Sequence, residues 1–224
     1  MTLDWLWCWW IGAFLALVGW LGGCTAPSSA RLGAWHVQWW TDFHDPGPWV
    51  LEGGPGALAS YGSDGYRLAS VWPNVDVWSL HPAVYATVRL AAHGRADRAT
   101  AFPAAYGLVC GYRDGHHFVL FALNTWGEYA VAVRTSQGWK PLHAADMDFR
   151  PHPAVRPAPQ DNRMMVECGD TGLRLWVNGR LLTAVDEPVP QGQVGMWLRT
   201  PPQSAAASWG VVFHDLTLWT WQRP

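Results

Sequence analysis

The sequence predicts an all-β protein, an antiparallel sandwich or barrel, behind an apolar amino-terminal segment. Beyond residue 30, apolar residues recur at period two rather than 3.6, in short runs. Gly, Pro, Asn and Asp separate these runs. The pairs Asp114-Gly115 and Asn178-Gly179 each join two runs directly, as in type I′ hairpins. Regular alternation of strands and turns without helices is typical of sandwiches and barrels.

Twelve runs are predicted to be strands. In chain order they are residues 34–40, 65–71, 75–80, 83–91, 105–113, 117–123, 128–135, 163–168, 173–178, 180–185, 193–199 and 211–219. The segment 150–162, RPHPAVRPAPQDN, contains four prolines. We expect it to form an extended loop on the sandwich rather than a linker between domains.

The amino terminus carries no charge from Trp5 to Gly23, so hydropathy alone permits a transmembrane helix of minimum length. Leu21-Gly22-Gly23-Cys24 resembles the bacterial lipobox, in which the cysteine is lipidated and the leader removed. We therefore expect a signal peptide over 1–23, lipidation at Cys24, a tether over 24–33 and one domain over 34–224. An uncleaved membrane span is the alternative, because no lysine or arginine precedes the apolar run.

Either form of anchor would place the domain outside the cytoplasm, and the lipidated form at the extracytoplasmic face of the cell membrane. If Cys8 is removed and Cys24 is lipidated, Cys110 and Cys168 remain as an even pair. An oxidising compartment favours such a pair, so the sequence predicts a disulfide between them. The alternative is two buried free thiols that pack as small hydrophobic groups.

The charge of the chain argues against nucleic acid as a partner. The formal net charge is −2, only 14% of the residues are charged, and there is no basic run. The chain has 18 tryptophans. An indole with a polar rim can stack on a sugar ring, whereas a buried indole simply fills a core.

Several motifs support a more specific fold. The motifs are YGLVCGYRDGHHFVLFAL (106–123), NRMMVECGDTGLRLWVNGRLLTAV (162–185), GQVGMWLR (192–199) and FHDLTL (213–218). Their order resembles the concanavalin A-like, laminin-G-like jelly-roll domains of bacterial envelope proteins. That superfamily includes lectin-like modules, glucanases and the keto-disaccharide hydrolase domain. The resemblance covers the chain from about Asp42 to Trp219, and implies a jelly-roll sandwich.

The first functional hypothesis is a binding module that recognises a carbohydrate or an envelope polymer. Its ligand would lie on aromatic side chains of a concave sheet, for which the candidates are Tyr112, Phe118, Trp126, Tyr129 and Trp139. The second hypothesis is a structural lipoprotein whose sheet packs against a protein partner. The third is a glycan hydrolase, which needs two carboxyl groups facing the sugar.

No catalytic residues are assigned, because the paired-carboxylate string E-x-D-x-x-E or E-x-D-x-E of glucanases with this fold is absent from the sequence. No cofactor or metal is predicted either. Asp146 and Asp148 could supply two oxygens to calcium, which needs six to eight. The expected partners are a glycan or envelope polymer, the membrane through the lipid anchor, and a protein in the second hypothesis.

Overall fold

The computed structural model describes residues 33–98, 102–142, 149–202 and 208–222. The predicted lipidation site Cys24 and the residues Asp146 and Asp148 lie outside these ranges. Within them, no helix is long and apolar enough to cross a lipid bilayer. The compact unit that contains the sandwich spans Gly33–Pro224.

The regular secondary structure of the described residues consists of strands. The strands are β1 (Ala34–Thr41), β2 (Val50–Gly53), β3 (Ala57–Gly62), β4 (Gly65–Ser70), β5 (Asp76–Leu80), β6 (Val88–Ala96), β7 (Ala105–Asp114), β8 (His117–Asn124), β9 (Glu128–Thr135), β10 (Gly138–Pro141), β11 (Arg150–Pro151), β12 (Asn162–Gly169), β13 (Gly172–Val177), β14 (Arg180–Val185), β15 (Gln193–Arg199) and β16 (Trp209–Gln222).

These strands form two antiparallel sheets, as the sequence predicted. Sheet A has the order β14-β13-β12-β6-β16-β4-β3, and β1 pairs with β16 beside this path. Sheet B has the order β10-β9-β8-β7-β15-β5-β2, and β11 pairs with β9. The prediction of an all-β antiparallel sandwich is therefore confirmed.

Alternate residues of both sheets meet in one core. Phe213 of sheet A and Phe121 of sheet B are both fully buried in it. A bulge in β16 between Phe213 and Asp215 shifts the alternation, so that Leu216 and Leu218 also point inward. Each such side chain stabilises the sandwich by about 1.5–3 kcal/mol relative to leaving it exposed.

A disulfide joins the two sheets through this core. Cys110 of β7 is bonded to Cys168 of β12, and the two residues are separated by 58 positions in the chain. Both are buried, at 0% and 3% exposure. The predicted disulfide is confirmed, and it cross-links strands that are far apart in sequence.

The two predicted hairpin turns differ in outcome. Asn178 and Gly179 have φ values of 49° and 81°, which confirms the type I′ prediction there. The prediction for Asp114-Gly115 is wrong, because Asp114 pairs with His117 and the loop consists of Gly115 and His116. The Asp114 carboxylate accepts a hydrogen bond from the His116 amide at 2.7 Å, so the side chain closes this turn.

Strand β6 starts later than predicted, at Val88 rather than residue 83. The segment before it is held in a turn, where the Ala83 amide donates to Nδ1 of His81 at 3.2 Å. Tyr85 forms only an isolated bridge with Gly192. Residues 83–87 are therefore not part of strand β6, although the run is largely apolar.

Candidate functional site

The candidate site lies on the outer face of sheet B, opposite the core. A row of small residues crosses it: Gly107 pairs with Ala122, and Ala122 pairs with Ala130 on the next strand. On the other side of Gly107, Trp197 pairs with Trp78. Because the side chains of this row are small, larger side chains from the flanking strands can extend across the sheet.

An aromatic cluster occupies this face, with Phe118 of β8 at its centre. The Phe118 ring centroid lies 5.7 Å from that of Tyr112, 5.6 Å from Trp139 and 6.2 Å from Trp78. Phe118 and Tyr112 are 3% and 5% exposed, whereas Trp78 and Trp139 are half-buried. Trp139 approaches Phe118 from β10 and Trp78 from β5, so two half-buried indoles flank a buried ring. The Trp78 indole N–H is buried and has no hydrogen-bond partner among the described residues.

A charged pair lies beside the cluster, on the same two strands as Trp78 and Trp197. Arg199 donates from Nε to Asp76 Oδ1 at 2.8 Å and from Nη2 to Asp76 Oδ2 at 2.6 Å. The Trp197 indole N–H also donates to Asp76 Oδ1, at 3.1 Å. The side chains of Arg199 and Asp76 are 36% and 24% exposed, so both can be reached from solvent.

A second acidic group reaches the cluster from β2. The Tyr112 hydroxyl donates to Glu52 Oε2 at 2.6 Å. Burial raises the pKa of Tyr112, and the Glu52 carboxylate raises it further. The phenol therefore stays protonated and oriented toward Glu52.

A hydrolase, the third functional hypothesis, would need two carboxyl groups facing each other across a cleft. The acidic residues of this face have partners in the described part of the chain. Asp76 is paired with Arg199, Glu52 accepts from Tyr112, and Glu128 accepts from Asn124 Nδ2 at 2.6 Å. These contacts give each carboxylate a structural role in the sheet.

The structure brings together three of the five predicted ligand residues, Tyr112, Phe118 and Trp139. Tyr129 points the other way, into the core between the sheets, where its hydroxyl donates to the Leu182 carbonyl at 3.3 Å. Trp126 lies in the turn between β8 and β9 and is 53% exposed. Side chains alternate between the two faces along β9, and Tyr129 is on the face that is turned toward the core.

Sequence reasoning missed Asp76, Trp78, Glu52 and Arg199. The alternation in VDVWSL was a usable signal, because it places Asp76 and Trp78 on one face of a strand. Their proximity to Arg199 depends on the pairing of β5 with β15, which the sequence does not reveal.

No metal site is evident within the described ranges, where no group of three or more His, Cys, Asp or Glu side chains could hold an ion.

The chain matches no family model and no curated protein. Solved structures with similar folds include the carbohydrate-binding module CBM66 from Bacillus subtilis, with a TM-score of 0.59 at 12% identity over 76% of this chain and 94% of that one. A glycoside hydrolase family 16 endo-glucanase from Bacteroides ovatus has a TM-score of 0.60 at 8% identity, over 80% of this chain and 99% of that one. The laminarinase catalytic domain from Thermotoga maritima has a TM-score of 0.60 at 9% identity, over 83% and 98%.

The protein therefore has a jelly-roll sandwich of the concanavalin A-like type, the fold that it shares with these structures. The similarity establishes the fold, and the function has to be inferred from the surface.

Proposed function

We propose that this protein is a membrane-tethered, extracytoplasmic carbohydrate-binding module that recognises a glycan or a cell-envelope polymer on the outer face of sheet B. The observation that carries the proposal is the pair of half-buried indoles, Trp78 and Trp139, on either side of Phe118 and beside the Asp76–Arg199 pair. The similarity to a structure described as a carbohydrate-binding module supports the proposal.

The chemistry of the surface suits a sugar chain. Indole faces stack on the apolar faces of sugar rings, and the polar edge of each sugar needs hydrogen-bond partners nearby. Asp76 accepts hydrogen bonds and Arg199 donates them, and together they carry no net charge. Since Trp78 and Trp139 approach one ring from opposite sides, the site favours an extended neutral oligosaccharide over a single sugar.

A glycan array tests this proposal with the full chain and three variants. Trp78→Ala and Trp139→Ala each remove one half-buried indole from the outer face of sheet B. Trp40→Ala is the matched control, because Trp40 is 59% exposed but lies on sheet A. We expect binding to a neutral polysaccharide that falls about tenfold in each sheet B variant and stays unchanged in the control.

Absence of binding by the wild-type chain to every glycan and envelope polymer on the array would contradict the proposal. Equal losses in all three tryptophan variants would also contradict it, since they would point to a nonspecific effect of indole removal.

A protein partner is the second candidate function, and an apolar row on sheet A that is exposed at one end favours it. Adjacent strands pair Leu181 with Trp176, Trp176 with Met165, and Met165 with Ala91. Leu181, at one end of the row, is 52% exposed. Such patches mark interaction surfaces. Replacement of Leu181 by Asp should then abolish the capture of a co-purifying membrane protein and leave glycan binding intact.

The tether is the remaining part of the proposal, and it rests on Leu21-Gly22-Gly23-Cys24. Mass spectrometry of the mature amino terminus tests it directly. We expect a chain that begins at a lipid-modified Cys24, and Cys24→Ser should release the protein from the membrane fraction. An unmodified leader still attached to Cys24 would contradict the tether.

A further inference from the structure

The outer face of sheet A contains a cavity of about 330 Å³ that the proposed site on sheet B does not use. We propose that it is a second carbohydrate site, which takes one neutral pyranose unit. The cavity is called the sheet A groove below. Its volume lies at the lower end of the range for ligand pockets, about 300–1,000 Å³, which suits a small ligand.

Two tryptophans form one wall of the groove, near the ends of the strands. Trp35 of β1 and Trp221 of β16 are directly opposite each other in the antiparallel ladder. Their ring centroids lie 5.3 Å apart in an edge-to-face arrangement. Trp221 is 39% exposed, so its indole is open to a ligand. Such a ring can stack on the apolar face of a pyranose.

The opposite wall is charged, and an arginine links it to the aromatic wall. The guanidinium carbon of Arg89 lies 4.6 Å from the centroid of the Trp35 ring. Arg89 also donates from Nε to Glu167 Oε1 at 2.8 Å. Glu167 is thereby fixed in position, with its side chain 13% exposed. A fixed carboxylate loses little entropy when it accepts a hydrogen bond from a ligand.

The second oxygen of Glu167 retains capacity for a ligand. Its contact with Arg174 Nη1, at 3.5 Å, is at the limit of a hydrogen bond. The Arg174 side chain is 38% exposed. A sugar hydroxyl at this position can therefore donate a hydrogen bond to Glu167 Oε2. The same hydroxyl, or its neighbour on the pyranose ring, can accept a hydrogen bond from Arg174.

The turn between β12 and β13 forms the rim. Asp170 and Thr171 line the groove together with Thr87, whose hydroxyl lies 3.5 Å from Asp170 Oδ1. A neighbouring cavity of about 390 Å³ shares Thr87, Asp170 and Trp221 with the groove. The rim thus offers further hydroxyl and carboxylate groups and an opening through which the rest of a glycan can leave.

The charges select a neutral ligand. Glu167, Asp170 and Arg174 line the groove, and Arg89, which is paired with Glu167, brings the sum of these four charges to zero. The groove therefore has no net charge to attract an anionic or cationic sugar. The groove and the sheet B site lie on opposite faces of the sandwich. A chain with both sites could hold two glycan segments, which raises the avidity for a polymer.

The experiment is calorimetric titration of the full chain with the neutral methyl pyranosides of glucose, galactose and N-acetylglucosamine. Trp221→Ala removes the stacking wall, Trp221→Phe keeps an aromatic ring, and Arg174→Met removes a donor at an exposed position. Trp40→Ala is the control on the same sheet, outside the groove. We expect one of the sugars to bind. Affinity should fall about tenfold in Trp221→Ala and Arg174→Met and remain within about threefold in Trp221→Phe and the control.

No binding of any methyl pyranoside by the wild-type chain would overturn the inference, as would equal affinity in the wild type, Trp221→Ala and Arg174→Met. Trp78→Ala separates this result from the proposed function. It should lower polymer binding on sheet B about tenfold and leave the methyl pyranoside affinity unchanged, so either site can fail while the other stands.

Discussion

Arg199 holds the carboxylate of Asp76 through two parallel hydrogen bonds, at 2.8 and 2.6 Å, on a half-exposed surface of sheet B. These two residues are 123 positions apart in the chain and meet only because β15 pairs with β5. The bidentate geometry fixes both side chains beside Trp197, whose indole N–H donates to the same carboxylate. The pair is thus a rigid polar edge for the aromatic cluster.

The first prediction concerns this pair. Asp76→Asn should lower glycan affinity about tenfold, because the amide accepts from only one atom and no longer fixes Arg199. The free energy of unfolding should fall by less than about 1 kcal/mol, since the pair is partly exposed. Titration with the polysaccharide found on the array, beside a denaturant melt, measures both quantities.

Glu187→Gln provides the control for that variant, because it breaks the exposed Lys140–Glu187 pair of 2.8 Å. Glycan affinity should be unchanged in Glu187→Gln. An Asp76→Asn variant that binds as the wild type does would exclude the charged pair from the site.

The second prediction concerns the bridge between Cys110 and Cys168. Its removal should lower the free energy of unfolding by roughly 4 kcal/mol on the chain-entropy model for a separation of 58 residues. Denaturant melts of the double variant Cys110→Ala/Cys168→Ala measure this loss. Alkylation of both cysteines in the non-reduced protein would contradict the bridge itself.

The third prediction is a pH dependence at His81. Burial lowers the pKa of His81 below its ordinary value of 6.5. Its ring stacks on Trp39 at 5.0 Å, and its Nδ1 accepts from the Ala83 amide, an arrangement that suits the neutral imidazole. The unfolded chain therefore binds this proton more readily than the folded one.

Stability from His81 should thus be fully present above pH 6.5 and decline as the pH falls below that value. His81→Asn keeps an acceptor near the Nδ1 position but does not titrate. Melting curves between about pH 7 and 5 should show a smaller decline for the variant. If stability declines equally in the variant and the wild type, His81 does not contribute to the pH dependence of stability.

The fourth prediction concerns Gly107, in the row of small residues on the outer face of sheet B. A methyl group at this position would overlap the Phe121 carbonyl oxygen of the neighbouring strand. Gly107→Ala should therefore lower the free energy of unfolding by about 1–3 kcal/mol. Gly115→Ala is the matched control, because a methyl group there meets no atom within 4 Å. Chemical denaturation compares the two variants, and equal stabilities would show that β7 can shift to accommodate the methyl group.

The sequence predicted strands well where the apolar run is long, as in β8 and β9. It missed β2, Val50–Gly53, whose four residues are all exposed and carry no inward pattern. It also missed β10, Gly138–Pro141, a short edge strand that ends in proline. Short edge strands form because a neighbour offers hydrogen bonds, and this information is absent from their own residues.

The candidate site was harder to predict than the fold, because alternation separates two faces without saying which one is buried. Glu128 and Tyr129 are adjacent on β9, yet Glu128 lies on the outer face and Tyr129 in the core. Of the residues predicted to bind a ligand, Tyr112, Phe118 and Trp139 lie together on the outer face, whereas Tyr129 lies in the core. Their part in ligand binding stays a prediction. Partners such as Asp76 and Arg199 require the order of strands in the sheet.

The pairing of β1 with β16 has a mechanical consequence. Ala34, where β1 begins, lies opposite Gln222, near the end of β16. A force that pulls the start of β1 away from the end of β16 acts on both strands at the same end of this ladder, so its hydrogen bonds would break one after another. Peeling of this kind needs less force than sliding whole strands past each other. The first strand would therefore yield under load while the disulfide between β7 and β12 still held the rest of the sandwich closed.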